Sequence, residues 1–437
     1  MDSYKLTATD LQAKFKADEL TVTQYAESLI GRVKERNPTV KAWAHFNPEL
    51  VLEQAKALDE VPKDKRGPLH GVAIGVKDVI YTKDMPTAHN SSIYEGSFPK
   101  IDAASIQILR QAGALIFGKT TTTEFAATVA GPATTNAHSP NRTPGGSSSG
   151  SGAAVGDMQV PIGLGTQTGG STIRPGSFNG IYALKPTWGA ISREGQKLYS
   201  LIFDVLGLYA RSAADLDLLA EVFDLQDDEA SPFSGLEGAK FAICKTPMWS
   251  EVGEGTKNAM EKGAALLSAH GATVEEITLP PVFDNVTPWH KIVLGSDGHP
   301  AFLADYRTSK DQLSPFLQGH VERAGGWTRK QQLEAFDGIA RLRPEMDDIL
   351  GQWDAIIVPS VPDEAPEGLD STGSPVFNSM WTAMHTPVMN VPGFKGANNM
   401  PIGLSLVAPR YHDRHLLKVS RAVGEVFEAE GGWKSSE

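Results

Sequence analysis

Three residues of this sequence could together form a catalytic site. Two are serines in Gly-Gly-Ser turns, and the third is a lysine in an apolar stretch. The turns, at residues 145–147 and 169–171, lie within residues 144–182, a segment crowded with glycine and serine. A flexible linker is the alternative interpretation, but a short helix and an apolar strand interrupt the segment and indicate ordered structure. Each turn precedes a predicted helix start, where free backbone N–H groups can bind an anion, including a transient oxyanion.

The base that would activate a serine is not evident among the histidines. A serine hydroxyl is a poor nucleophile until a base accepts its proton, and none of the eleven histidines lies in a known nucleophile pattern. Residues 146–150 formally match the G-x-S-x-G elbow around Ser148. A polar, proline-containing loop precedes them, whereas an elbow needs a strand there. Lysine is the remaining candidate base.

Lys77 lies in residues 69–81, where apolar residues and glycines predict a buried strand. Burial disfavours the charged form of a lysine, and lowering its pKa by about three units costs roughly 4 kcal/mol. A neutral amine is a competent base, as in the Ser–Lys variants of the serine triad. The alternative is a salt bridge between Lys77 and Asp78, which is disfavoured because adjacent strand residues point to opposite faces.

Three ordered motifs resemble the amidase signature family: IGVKD, PGGSSSGSGAAV and GLGTQTGGSTIRPGSFNGIYALKPT. Their spacing agrees with that family, since 70 residues separate Lys77 from Ser147 and 24 separate Ser147 from Ser171. The likeness covers most of the chain and is weakest over residues 230–350. The resemblance implies hydrolysis of a carboxamide-type bond by a Ser–Ser–Lys triad, in which Ser171 attacks the carbonyl, Ser147 relays the proton and Lys77 is the ultimate base.

The resemblance also implies how the charge on the attacked carbonyl is stabilised. The expected oxyanion hole consists of four backbone N–H groups, those of Thr168, Gly169, Gly170 and Ser171. Such unpaired N–H groups are expected where a strand gives way to a helix, and losing one oxyanion donor typically costs about 3 kcal/mol of transition-state stabilisation.

Two departures from the family pattern bear on substrate choice. Gln167 stands where most members have Asp, and the arginine follows the nucleophile by three residues, at Arg174, rather than by two. This variant is similar to the branch of malonamidase-like small-amide hydrolases. Gln167 and Arg174 are therefore candidate substrate-binding residues, with Arg174 placed to bind a carboxylate bidentately. The alternative for Arg174 is a brace for the loop, paired with an acid such as Asp204.

Helices that alternate with short apolar strands predict an α/β fold. The expectation is a single large domain over residues 1–437, with a central mixed β-sheet flanked by helices. Its core motif region spans residues 69–210. Residues 230–350 are predicted to form an α/β unit followed by two long helices, near 284–305 and 328–353, either part of the same domain or a cap on it. The helices of residues 284–353 and the loops at residues 87–94 and 378–384 are expected to line the substrate pocket. Thr7 and Thr21 are predicted helix caps.

Composition excludes several classes of function. A formal net charge of −12 disfavours nucleic acid and anionic membranes as partners. The one cysteine, Cys244, excludes an internal disulfide, and no motif indicates a metal or a cofactor. Since no apolar run approaches the roughly 18 residues of a membrane helix and no signal peptide is visible, a cytoplasmic protein is expected. Its expected partner is a small-molecule substrate, and a homodimer is left open.

Three functions remain open on these observations. The first is a stand-alone amidase for a linear amide, with carbamate esters such as urethane as a close variant, since the acyl chemistry is the same. The second is the A subunit of a glutamine-dependent tRNA amidotransferase. The third is a catalytically inactive scaffold, which the presence of all three triad residues disfavours.

Overall fold

The computed structural model describes residues 2–434. Its strands, in chain order, are β1 Trp43–His45, β2 Ala73–Lys77, β3 Leu115–Thr120, β4 Ile162–Gln167, β5 Tyr182–Lys185, β6 Val205–Ala210, β7 Lys240–Cys244, β8 Thr273–Ile277, β9 Ala355–Pro359, β10 Val388–Lys395 and β11 Pro401–Val407. They form one eleven-stranded sheet in the order β1-β3-β2-β4-β6-β5-β10-β11-β9-β7-β8. Strand β2 is parallel to β3 and β4, whereas β4, β6, β5, β10 and β11 pair antiparallel. The predicted single domain with a mixed sheet is confirmed.

The α-helices surround this sheet. In chain order they are α1 Ala8–Lys16, α2 Val22–Val40, α3 Pro48–Asp59, α4 Ala104–Gln111, α5 Ser149–Gly156, α6 Ile173–Phe178, α7 Ala213–Val222, α8 Glu254–Ala269, α9 Val286–Ser309, α10 Pro315–Val321, α11 Arg329–Leu350, α12 Ser379–Ala383 and α13 Asp413–Glu430. Thr7 and Thr21 begin α1 and α2 through capping boxes, as predicted from their sequence.

Strand residues alternate between two hydrophobic layers. Ile74 and Val76 of β2 belong to the layer that includes α4, α7, α8 and α13, whereas the preceding residue, Ala73, belongs to the layer with α1, α2 and α3. A third cluster joins α9, α11 and α12 to β9 and to Val407 of β11. This period of two is the signature of a sheet covered on both faces.

Helix α5 is made of small residues because it is buried along its whole length. All eight of its residues are buried. At Gly150, an added Cβ would lie 2.1 Å from the Ala42 carbonyl oxygen and 2.4 Å from the Thr121 nitrogen, so only glycine allows this approach. The close packing brings Ser147, two residues before α5, next to β2 and β4.

Several boundaries differ from the sequence expectation. The strand predicted over residues 69–81 is β2 alone, because the N–H groups of Val79 and Ile80 both donate to the Lys77 carbonyl and turn the chain there. Helix α2 runs to Val40 through Pro38. Strands β6 and β10 were not predicted.

Residues 230–350 divide into the two parts that their sequence indicates. Strands β7 and β8 extend the common sheet, because β7 pairs in parallel with β9. Helices α9, α10 and α11 lie beside it. None of the described helices combines the length and the apolar character that crossing a bilayer requires.

Candidate active site

Lys77, at the end of β2, is surrounded by hydroxyl groups. Its Nζ lies 2.7 Å from Ser147 Oγ and 2.7 Å from Thr166 Oγ1, and its side chain is fully buried. Within residues 2–434 no carboxylate lies within ion-pair distance of it. Burial therefore holds the pKa of Lys77 well below its usual value, an effect that Asp204 opposes and Arg174 reinforces. Thr166 was not predicted, although it lies two strand positions before Thr168 in a motif already singled out.

The backbone on both sides of the Ser147 nitrogen is fixed by hydrogen bonds. The peptide bond from Gly146 to Ser147 is cis. The Gly146 carbonyl accepts a hydrogen bond from Arg174 Nη2 at 2.6 Å, and the Ser147 carbonyl accepts one from the Thr123 N–H at 3.3 Å. These contacts fix the backbone of Ser147 while its hydroxyl faces Lys77.

Ser171 lies between the end of β4 and the start of α6, at the wall of a cavity of about 260 Å³. The same cavity is lined by Ser147 and by residues 168–170. Within the described part of the chain, Ser171 Oγ makes no hydrogen bond, including none to Ser147. Catalytic hydrogen bonds are often longer without substrate, so the shared cavity wall is the relevant relationship between the two serines.

The main chain of residues 168–171 is oriented by its carbonyl groups. Each of the four carbonyl oxygens accepts a hydrogen bond, in order from His290 Nε2 at 2.8 Å, Thr382 Oγ1 at 2.7 Å, the Arg174 N–H at 3.0 Å and Tyr209 Oη at 3.1 Å. None of the four N–H groups has an acceptor among residues 2–434. The arrangement leaves these N–H groups available to an oxyanion.

His290, Thr382 and Tyr209, which hold this loop, were missed in the sequence. They carry no local signal, because each is remote from residues 168–171 along the chain. His290 donates through Nε2 because its partner is a carbonyl, and burial lowers its pKa to about 4, so the ring is neutral at pH 7.

Asp204 supports the same loop without pairing with an arginine. It accepts hydrogen bonds from Thr168 Oγ1 at 2.6 Å and from the Tyr199 N–H at 2.7 Å, and burial raises its pKa to about 6. The prediction that Arg174 pairs with Asp204 is wrong, because hydroxyl and backbone donors occupy this carboxylate.

Arg174 is a buried arginine at the cavity wall. Only Nη2 is engaged, with the Gly146 carbonyl and, at 3.4 Å, with Thr372 Oγ1. Its Nε and Nη1 have no hydrogen-bond partner in the described part of the chain, and burial lowers its pKa to about 10. The residue thus braces the Gly146 carbonyl, as one sequence alternative expected, and still has donors to offer an anion.

The side-chain amide of Gln167 has hydrogen-bond partners within the protein. Its Oε1 accepts hydrogen bonds from the N–H groups of Thr172 at 2.9 Å and Ile173 at 3.1 Å, and its Nε2 donates to Thr382 Oγ1 at 3.0 Å. The residues that line the cavity do not include Gln167. Substrate contact by Gln167 stays a prediction, and it would require these hydrogen bonds to break.

Most of the remaining wall of the cavity comes from two other parts of the chain, and Tyr199 and Pro375 complete it. Residues 126–129 form one side, and the region from α9 to α11 contributes the other, as expected for residues 284–353. Segments 87–94 and 378–384, which were also expected to line the cavity, do not. None of the described lining residues is Asp or Glu, whereas two are cationic: Arg174 and Lys291.

Comparison with known proteins identifies similarity along nearly the whole chain. The family model described as Amidase matches residues 24–417. The glutamyl-tRNA(Gln) amidotransferase A subunit from Symbiobacterium thermophilum is 31% identical, with 96% of this chain and 96% of that protein covered. The protein of the same name from Streptomyces coelicolor is 29% identical, with 99% and 98% covered. A solved structure described as a crystal structure of amidase is 27% identical, with a TM-score of 0.87 over 98% of this chain and 100% of that one.

Proposed function

Since the chain belongs to the amidase signature family, we propose that it cleaves a carbon–nitrogen amide bond, with Ser171 as nucleophile, Ser147 as proton relay and Lys77 as base. The observation that carries the proposal is the 2.7 Å contact between Lys77 Nζ and Ser147 Oγ, made by a buried lysine that has no carboxylate partner among the described residues. Burial lowers the pKa of Lys77, which favours the neutral amine, the form that can accept a proton.

The proposed reaction proceeds in two halves. The lone pair of neutral Lys77 accepts the Ser147 proton while Ser147 accepts that of Ser171, whose oxygen bonds to the substrate carbonyl carbon. The resulting oxyanion is held by the N–H groups of residues 168–171. When the carbon–nitrogen bond breaks, the proton returns through Ser147 to the leaving nitrogen. Water then attacks the acyl-enzyme and releases the carboxylic acid and Ser171.

We propose a small amide that carries a carboxylate as the substrate class. The cavity of about 260 Å³ has Arg174 in its wall, with Nε and Nη1 unused, and no acidic residue among its described lining. A planar guanidinium matches a carboxylate with two parallel hydrogen bonds. Carbamate esters such as urethane remain a variant, because the same attack at the carbonyl applies and the cavity decides which group is held.

The second candidate is the A subunit of a glutamine-dependent tRNA amidotransferase. It is favoured by the relatives of that name, which are similar to this chain along nearly their whole length. Such a protein would take ammonia from glutamine and deliver it to a protein partner. The described cavity lining lacks an acid for the glutamine α-ammonium group, and this absence favours the first candidate. An inactive scaffold is disfavoured by the presence of all three side chains.

Ammonia release by the purified chain tests the proposal. The substrates are acetamide, malonamate, L-glutamine and ethyl carbamate, with Ser171→Ala as the blank. Turnover that the variant lacks, with malonamate preferred, is the expected result. Glutamine as the preferred substrate would support the second candidate. No turnover of any substrate, together with no labelling by a serine-directed phosphonate, would contradict the proposed chemistry.

A further inference from the structure

A second cavity adjoins the one that contains Ser171. Its volume is about 540 Å³, and it lies among α9, α10 and the start of α11. Four residues line both cavities: Gly295, Phe316, His320 and Trp327. The two spaces therefore adjoin at a common wall, and the larger one is called the outer cavity here. A substrate long enough to reach from Ser171 to the outer cavity would contact these four residues.

The common wall is aromatic and well fixed. The Trp327 ring packs directly on two glycines, since an added Cβ would lie 2.1 Å from it at Gly295 and 2.2 Å from it at Gly325. His320 is held at both nitrogens, by the Phe316 carbonyl at 2.9 Å and by Tyr199 Oη at 2.7 Å. Because a carbonyl only accepts, His320 Nδ1 donates to Phe316. The Phe316 side chain is 41% exposed. Flat, pre-positioned surfaces of this kind suit a planar ligand group.

The outer cavity is also positively charged. Arg323 and Arg329 line it, and no Asp or Glu is among its described lining residues. Arg323 has no side-chain hydrogen bond or ion pair within residues 2–434, and Arg329 contacts only the neutral Gln332. Glu322, next in sequence to Arg323, is committed to Lys310 at 2.8 Å. Two unneutralised arginines in one concave surface stand out in a chain of net charge −12.

We propose that the outer cavity is a subsite for an aromatic group bearing a negative charge, attached to the amide that reacts at Ser171. This inference rests on the proposed function and adds to it a second recognition site, separate from the carboxylate site proposed at Arg174. The aromatic ring stacks on Trp327 and Phe316, and the anion is bound by Arg323 and Arg329. The cavity that contains Ser171 holds the scissile amide, and the outer cavity holds the charged aromatic group.

A series of three amides tests the subsite: propanamide, 3-phenylpropanamide and 3-(4-carboxyphenyl)propanamide. The phenyl group is expected to raise kcat/KM about tenfold, and the carboxylate about fivefold more, with the latter gain reduced by salt. The double variant Arg323→Gln/Arg329→Gln should remove the gain from the carboxylate and keep the gain from the phenyl group. Trp327→Ala should remove the gain from the phenyl group. Arg421→Gln is the matched control, because Arg421 is an exposed arginine on α13 that is paired with Glu425. This variant should change neither the gain from the phenyl group nor the gain from the carboxylate.

Binding measured without turnover separates this inference from the proposed function. Titration calorimetry of 3-(4-carboxyphenyl)propanamide into Ser171→Ala should give about fivefold weaker binding when the two arginine substitutions are added. If the arginine substitutions weaken binding and the unsubstituted protein hydrolyses no amide, the subsite is supported and the catalytic proposal is contradicted. Equal affinity with and without the arginines, or equal kcat/KM for the three amides, would overturn the subsite. The two arginines are exposed, so the double variant is expected to fold.

Discussion

Nζ of Lys119 lies 3.2 Å from Oδ1 of Asp78, so the carboxylate that follows Lys77 in the sequence is paired with a lysine of the neighbouring strand. Lys77 and Lys119 are both fully buried, on the paired strands β2 and β3. Lys119 has an ion pair, and its pKa is lowered only to about 8. Among the described residues, Lys77 Nζ has only hydroxyl partners, those of Ser147 and Thr166. Two fully buried lysines on neighbouring strands thus differ in whether a carboxylate compensates their charge.

The first prediction compares these two lysines. Lys77→Met should abolish amide hydrolysis and leave the free energy of unfolding unchanged or higher, because it removes an uncompensated buried amine. Lys119→Met should lower the free energy of unfolding by about 3 kcal/mol, because it leaves Asp78 buried without its partner. Urea denaturation and ammonia release measure the two effects. A Lys77→Met protein that hydrolyses amides at a near-normal rate would show that the base has been assigned wrongly.

The second prediction concerns the serines. Ser171→Ala should lower kcat by about 10⁴-fold or more, because no acyl-enzyme can form. Ser147→Ala should be somewhat less damaging, since water can replace a relay more readily than a nucleophile. Steady-state ammonia release gives the rates, and mass spectrometry after phosphonate treatment reports labelling. Ser148→Ala is the neighbouring control: its hydroxyl bonds to the Thr166 backbone, so it should retain labelling. Labelling of Ser171→Ala would contradict the assignment.

The third prediction is a pH dependence with a defined sign. Lys77 must be neutral to accept a proton, so kcat/KM should rise with pH through the pKa of Lys77 and level off above it. Below that pKa it should fall about tenfold per pH unit. The negative charge of Asp204 raises the pKa of Lys77 and the positive charge of Arg174 lowers it. Asp204→Asn should therefore move the acid limb of the profile to lower pH, and Arg174→Met should move it to higher pH. Shifts in the same direction would contradict the electrostatic account.

The fourth prediction tests carboxylate binding by Arg174. Arg174→Met should lower the ratio of kcat/KM for malonamate to that for propanamide by about 100-fold, as expected for the loss of charge-assisted hydrogen bonds. Activity on both substrates should also fall, because Arg174 Nη2 holds the Gly146 carbonyl. The ratio is thus the informative quantity. Arg174→Lys serves as the comparison, since it keeps the charge and loses the planar fork. An unchanged ratio in Arg174→Met would make the residue a brace alone.

The fifth prediction concerns Gln167. Gln167→Leu should lower the free energy of unfolding by about 2 kcal/mol, because two buried N–H groups at the start of α6 lose their acceptor. It should lower kcat with little change in KM, since the side chain acts through the loop of residues 168–171. Thr382→Val, which removes the hydroxyl between Gln167 and the Gly169 carbonyl, should act in the same sense. A large rise in KM with unchanged kcat would instead indicate substrate contact.

The candidate catalytic residues could be predicted because local sequence motifs mark them. Lys77 could be singled out because its charge interrupts an apolar stretch, and the serines because glycines precede them. The residues that hold residues 168–171 could not be found in this way. His290 and Thr382 are 122 and 213 residues from the carbonyls they contact, and nothing near them in sequence records that contact.

The errors of the sequence interpretation have physical causes. Arg174 was given Asp204 as a partner on charge alone, whereas in the fold Thr168 and the Tyr199 backbone satisfy that carboxylate. Strand β10 was missed because it contains Pro392 and Gly393, residues that disfavour strand assignment. The sheet class was predictable because helices alternate with apolar strands, whereas the order of eleven strands depends on pairings between distant segments.

The separation between the proposed reacting groups and the walls of the two cavities has an evolutionary consequence. Lys77, Ser147 and Ser171 lie on the sheet and its adjoining turns, whereas much of both cavity walls comes from α9 to α11. Mutational drift at the wall positions of those helices can change which amide is accepted without disturbing the contact between Lys77 and Ser147. His290 of α9 is the exception, because it holds the Thr168 carbonyl. A library randomised at Phe316, Arg323 and Trp327 would therefore sample new specificities on an unaltered catalytic apparatus.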